Sequence, residues 1–433
     1  MGHQASLRWK RLFPSWFAPF LSTFHHQAQR CWAPLYVQGL CSTAHRKSIV
    51  PLAEWVAPGQ ADPLQHFITD SPWTIDPLLR VLARQANTLL GGKRAVLIID
   101  DTCLTKFGSH SVGVARQYSG QVGKITNCQC LVSLTLAKDE LPIPLALRLF
   151  LPSEWTQDPA RMQRAGVPPA NAVPQTKWAL ALEELDRIRK DVDFGVVLAD
   201  AGYGNNAEFR TALSRRGLLW SVGIVKTQKV YPEDVRVTPA PQRVRGRPPK
   251  YPVASEERQT VEQVLSDGPW QKIVWRQGSK GPLQGRFAAA FVRIADGMRT
   301  APGAHLPGEE VWILGEERAG GEKKYYACNL PPSTSLATLV EIMKRRWACE
   351  HGHRELKQEV GLSHFEGRSW RGLCHHAALC LLALGFLQWL RLTQPDEVFG
   401  ATVPAIREEL VGAMPRPVVC PRCRVVAAHP AGP

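Results

Sequence analysis

"RAVLIIDD", Arg94 to Asp101, opens on arginine, runs through five apolar residues and closes on two acids. A short apolar run of this kind, introduced by "GGK" and ended by carboxylates, reads as a buried strand. Before it, "DPLLRVLARQANTLL" (Asp76 to Leu90) repeats Leu78, Leu79, Leu82, Ala86 and Leu89 at helical spacing, with Asp76 placed to cap and Pro77 at the first position. After it, "NCQCLVSLTLAKDELPIPLALRLFLP" (Asn127 to Pro152) reads as two strands about a turn at Ala137 to Glu140. "KWALALEELDRIRKD" (Lys177 to Asp191) is an amphipathic helix, and "FGVVLAD" (Phe194 to Asp200) is a second buried strand ending in an acid. The turn "AGYGNN", the helix "AEFRTALSRRG" and the strand "LLWSVGIV" follow. This order predicts an α/β layer, a mixed sheet flanked by helices.

The rest divides by composition. Residues 1–88 read as mostly helical, and 89–225 as the α/β core just described. From 226 to 330 Pro and Gly rise and short β-like runs recur ("QKIVWRQ", "GRFAAAFVRIA", "EVWILGEE", "KKYYACNL"), a β-rich insertion. Residues 331–395 resume the core with one long helix, "STSLATLVEIMKRRWACEHGHRELKQEVG", capped by Ser333 or Thr334, and a packing helix behind it. Residues 396–433 read as a loose, basic, Pro-rich tail.

Charge narrows the partners. The 433 residues carry 53 Lys and Arg against 38 Asp and Glu, a net +15, which favours polyanions because neutralised phosphates release counterions. No acid precedes Glu54, while Arg8, Lys10, Arg11, Arg30, Arg46 and Lys47 do. Such a start suits a transit peptide or a segment lying on DNA backbone, and the second reading is taken here. Eleven scattered cysteines, an odd number with no signal peptide, predict reduced thiols and a cytoplasmic protein. "AALCLLALGFLQWL" (Ala377 to Leu390) is shorter than the ~20 residues that cross a bilayer and reads as a buried helix, so no membrane is expected.

Three acids carry the chemistry. Asp100, with Asp101 beside it, and Asp200 end buried strands, where open α/β sheets place their ligands; the plain reading of either alone is a strand-end turn. Glu350 is the third. On one helix Arg346, Glu350 and Lys357 share a face, which by itself reads as a salt-bridged surface. Together the acids suit two Mg²⁺ ions (or Mn²⁺) about 3.5–4 Å apart, cleaving a phosphodiester, with Arg346 and Lys357 holding phosphate.

These stretches resemble the DDE transposases of bacterial insertion sequences. The matching segments are "LIIDDT", "KFGSHSVGVARQYSGQVGKITNCQCLVSLTLA", "VVLADAGYG" and "RRWACEHGHRELKQEVGLSHFEGRSWRGLCHHAAL", and the resemblance runs from about Leu35 to Leu390. The family's helix signature is Tyr, two residues, Arg, three residues, Glu, six residues, Lys; Arg346, Glu350 and Lys357 keep it, and Met343 stands at the Tyr position. The resemblance implies an RNase H-like core interrupted by the β-rich insertion, behind a helical N-terminal domain that binds DNA ends. It implies Asp100, Asp200 and Glu350 as metal-holding catalytic carboxylates, with Asp101 the alternative to Asp100. It further implies binding to the terminal inverted repeats, Mg²⁺-dependent strand cleavage and transfer to target DNA, and a homodimer in a synaptic complex at the bacterial nucleoid. Lys106 and Lys124, around "GVARQY", are expected to touch DNA phosphate.

Weaker signals remain. Arg245 and Arg247 in "RVRGRPPKY" suit a narrow minor groove, or an exposed basic loop. Cys420 and Cys423 in "CPRC" are half of a zinc site. Cys128 and Cys130 share one strand face, most simply as core. His351, His353, His375 and His376 are expected to be structural or to face phosphate. The rival functions are an RNase H-fold nuclease and an inactive, DNA-binding derivative of a transposase; a sugar hydrolase is disfavoured by the basic charge and the wide separation of the acids.

Overall fold

In the computed structural model, which describes residues 2–120, 122–240, 251–278, 281–318, 320–394, 402–413, 418–419 and 426–427, five helices come first. They are α1 (Gly2–Leu21), α2 (Gln27–Cys41), α3 (Ile49–Val56), α4 (Ala61–Thr69) and α5 (Ile75–Leu90). Thr74, not Asp76, is the N-cap of α5; Asp76 lies in the first turn, where a negative charge suits the helix dipole. Strands β1 (Gly92–Thr105), β2 (Ala115–Ser119), β3 (Lys124–Lys138) and β4 (Leu141–Phe150) follow, then α6 (Ser153–Thr156), α7 (Pro159–Arg164) and α8 (Lys177–Ile188). β3 lies antiparallel to β1, β2 and β4. Pro142 and Pro144 are tolerated in β4, which among the described residues pairs only with β3 and slips register opposite Leu134/Thr135. These elements belong to a unit formed by residues 1–194 and 348–433; residues 195–347 form a second unit.

The second unit begins with β5 (Phe194–Ala199), α9 (Ala201–Gly204), α10 (Ala207–Arg215) and β6 (Leu219–Ile224), and β5 and β6 are parallel. An antiparallel meander, a helix and then a parallel pair give the mixed, helix-flanked sheet expected from the sequence. Next come β7 (Lys229–Pro232), β8 (Val237–Thr238), β9 (Val253–Ala254), β10 (Gln259–Thr260), α11 (Val261–Ser266), β11 (Gln271–Gly278) and β12 (Gly281–Ile294). The unit closes with β13 (Arg299–Ala301), β14 (Ala304–His305), β15 (Glu310–Glu317), β16 (Lys323–Cys328) and α12 (Leu336–Lys344). The β-rich stretch extends the sheet of β5 and β6 rather than forming one of its own: β16 runs antiparallel to β6, with Cys328 opposite Ser221, and β15, β12 and β7 continue outward. Lys344 of α12 reaches the buried Glu316 carboxylate, which also accepts from Tyr326 Oη at 3.0 Å.

Where one long helix is expected after Ser333, there are two. α12 is capped by Ser335, whose Oγ accepts the Thr338 N–H at 3.2 Å, and ends in tight bonds from Arg345 to Ile342 and from Arg346 to Met343. The next helix, α13 (Trp347–Gln358), starts afresh. The cause is a phase change in the apolar stripe. α12 buries Leu339, Val340 and Met343, which would continue to 346, 347 and 350; instead α13 buries Ala348, Cys349, Gly352, His353 and Leu356.

The first unit is then completed by α14 (Trp370–Thr393) and α15 (Val403–Ala413). α14 has the length and apolarity of a membrane span, yet 89% of that window is buried within the protein. Phe386 meets Phe13 and Trp16 of α1 at ring distances of 5.2 and 5.1 Å, and Tyr36 Oη lies 2.8 Å from His376 Nδ1. α15 buries Val403, Ile406 and Leu410, so this part of the expected loose tail is packed structure. Lys47 differs from the DNA-facing reading of the N-terminal basic segment: it is buried, and its ammonium donates to the Ser42 carbonyl.

Candidate active site

On β1 successive side chains leave opposite faces, so Asp100 and Asp101 part company. Asp100 faces α13. Its Oδ1 accepts the Asp101 N–H at 2.8 Å, and its Oδ2 accepts the Cys349 S–H at 3.2 Å. Ser133, opposite Asp100 on β3, donates its hydroxyl to the Asp100 carbonyl at 3.0 Å and lies 2.6 Å from His353 Nε2. With that hydroxyl proton committed, His353 Nε2–H is the donor to Ser133. Cys349 and His353, four residues apart on α13, therefore fasten the helix to the strand at Asp100. Gly352 between them permits the approach: a methyl there would lie 3.3 Å from Pro142 and 3.4 Å from Pro144. Glu350, next to Cys349, is exposed in the first turn of α13, where a carboxylate suits the helix dipole.

Asp101 faces the other way, onto α8. Its Oδ2 accepts from Lys177 Nζ at 2.6 Å, above a buried cluster of Cys103, Cys128 and Cys130. Within that cluster a hydrogen bond from Cys130, and after it the charge of Lys177, draws the Cys103 thiol down to about 6. Nothing local in the sequence marks Lys177 as the partner of Asp101, and the sequence reading missed it. Cys349 was missed too, although its spacing from His353 on a helix was a signal for both.

In the second unit Asp200 ends β5 and caps α9, its Oδ1 accepting the Tyr203 N–H at 3.3 Å. The glycines of "AGYG" seat that turn: a methyl on Gly204 would fall 2.0 Å from the Gly223 carbonyl. Arg346 lies in the turn just before α13 rather than inside one continuous helix with Glu350. Lys357 is on α13, half-buried, its ammonium pulled below the ordinary value by burial. Lys106 is half-buried and donates to the Phe365 carbonyl at 2.6 Å, whereas Lys124 is exposed at the start of β3. His375 and His376 are buried on α14. Arg245, Arg247, Cys420 and Cys423 lie outside the described residues.

Among the described residues no group of three or more His, Cys, Asp and Glu is gathered to hold a metal ion. The first unit does bring a half-buried carboxylate, Asp100, to the helix that carries Glu350, and both offer the hard oxygens that Mg²⁺ takes. The donor chemistry fits the ion.

Residues 19–282 match the profile of the DDE superfamily endonucleases. The chain belongs to that family. The match spans Asp100 and Asp200 and stops short of Glu350. The probable transposase of insertion sequence element IS701 from Microchaete diplosiphon is 30% identical over 188 residues, 43% of this chain and 46% of that protein. The chain thus spans about half the length of that relative. A cryo-EM structure of piggyBac transposase in a synaptic complex with hairpin DNA is similar with a TM-score of 0.45 at 10% identity, over 95% of this chain and 80% of that one.

Proposed function

We propose that this chain is an insertion-sequence transposase, which binds the terminal repeats of its element, cuts there and joins the freed 3′-OH to target DNA. The observation that carries the reading is the 3.2 Å contact from Cys349, neighbour of Glu350, to the Asp100 carboxylate, with Asp101 turned away onto Lys177. Asp100 and Glu350, together with Asp200, are the carboxylates proposed to hold Mg²⁺. When bound, the ions would activate water and steady the leaving oxygen of a phosphodiester. The chain's own part is orientation. The Asp101 N–H and the Cys349 S–H hold the Asp100 carboxylate, and Ser133 with His353 holds its carbonyl, so the donor is set before substrate arrives. Lys124, Lys357 and Arg346 are the proposed phosphate contacts. Work as a homodimer on two DNA ends, in the cytoplasm, belongs to the same proposal.

The test uses the full chain and a plasmid carrying the element's ends. Asp200→Ala and Glu350→Ala should each abolish Mg²⁺-dependent cleavage and end joining while the ends are still bound. Cleavage that persists in both variants overturns the assignment. Cleavage without any end joining in the wild type makes the protein a nuclease instead.

A further inference from the structure

Beyond β1 the chain turns through Lys106–Ser111, and the ring of Phe107 is wholly exposed. This is not a loose loop. The Lys106 N–H donates to the Asn127 carbonyl at 2.9 Å, and the Asn127 side chain returns two bonds of 2.9 Å, to the Lys106 and Gly108 carbonyls on either side of the phenyl. Lys106 Nζ is tied to Phe365, and the Arg161 guanidinium donates to the Ser109 carbonyl at 2.8 Å. The fold thus fixes the backbone around Phe107 and leaves the ring in water, where burial would be favourable.

Its surroundings say what would cover it. Asn127 shares one face of the β2–β3 hairpin with Ile125, and across the register Arg116 stands opposite Asn127 and Tyr118 opposite Ile125. Tyr118 is 65% and Ile125 59% exposed, and Arg116 and Lys124 are exposed beside them. From Thr102 to Lys138 the sequence has no Asp or Glu, while Lys106, Arg116, Lys124 and Lys138 are basic. Exposed rings among cations, on a stretch whose own sequence carries no carboxylate though Glu366 acts on Lys106, match a strand that offers flat base faces and phosphates together.

We propose that Phe107, flanked by Tyr118, is a stacking platform for an unpaired DNA base, with Arg116 and Lys124 taking the phosphates of that strand. The proposal rests on the reading of the protein as DNA-acting and adds a preference for unpaired bases at a named surface. Two end-labelled DNAs of equal length test it by anisotropy at fixed salt, one fully paired and one with a short run of unpaired thymines. Wild type should favour the unpaired DNA. Phe107→Ala should reduce that preference about 5- to 150-fold, the range for losing one base–aromatic stack, and Phe107→Trp should restore it. A preference unchanged by Phe107→Ala overturns the proposal. So does a Phe107→Ala chain that changes sedimentation instead, since the ring then serves contact between copies. If wild type binds neither DNA, the DNA-acting reading fails and this one with it; if it binds both and the variant leaves the ratio unmoved, this one alone fails.

Discussion

Replacing Glu355 by Gln should change how the stability of the protein depends on pH. Glu355 lies on α13 and turns inward to α14, where its Oε2 accepts the Gln388 amide at 2.9 Å and only 3% of the residue is exposed. Its Oε1 is 3.2 Å from His351 Nε2 but makes no hydrogen bond. Burial pushes the carboxyl up from 4.5 to about 7, with Arg391 pulling partly back. The folded chain therefore keeps a proton that the unfolded chain has already released. The sign follows: the contribution is fully present below about pH 4.5, falls as pH rises, and is gone above about 7. At 1.36 kcal/mol per pH unit the whole loss is about 3 kcal/mol. Glu355→Gln keeps the shape and has no proton to lose. Urea unfolding of both proteins at pH 5 and pH 8 isolates the effect, because other titrating groups cancel between them. The variant should gain about 2–3 kcal/mol on wild type over that interval. A difference constant to within about 0.5 kcal/mol would refute the reasoning and mean that Glu355 is hydrated like a surface carboxylate.

Three further outcomes are expected. Asp100→Asn should lower cleavage by about a thousandfold or more, as losing several kcal/mol of metal-held stabilisation requires, while Asp101→Asn should stay within about tenfold and cost about 1 kcal/mol of stability through Lys177; gel assays beside melting curves separate the two. Tyr36→Phe should cost about 1–3 kcal/mol in thermal denaturation, because the buried His376 Nδ1 loses its hydroxyl partner. Gly204→Ala drives a methyl to 2.0 Å from the Gly223 carbonyl and 2.8 Å from Val222, so α9 must lift from β6 and take Asp200 with it; a loss of about 1–3 kcal/mol and of cleavage should follow, with DNA still bound.

The buried strands β1 and β5 were legible because apolar runs ending in acids have few other uses. β2 was not: "ARQYS" has no apolar run, and as an edge strand it exposes Arg116 and Tyr118. The break between α12 and α13 carries no proline or glycine, and shows only as two buried stripes out of phase. Which of two adjacent acids meets α13 is likewise closed to sequence. Alternation puts them on opposite faces, but only the tertiary partners, Cys349 on one side and Lys177 on the other, say which face is which.

The way α14 threads the first unit bears on how the protein is made. Tyr36 and its partner His376 are 340 residues apart, and the aromatic cluster of α1 waits for Phe386. At about 5–20 residues per second, roughly 20–70 s of translation separate the N-terminal helices from the core that covers them. During that interval Phe13, Trp16, Phe17 and Phe20 lack the Phe386 ring that closes their cluster. A nascent chain that lacks α14 thus exposes the apolar surface that α14 covers in the folded protein, the kind of surface that makes incomplete chains aggregation-prone.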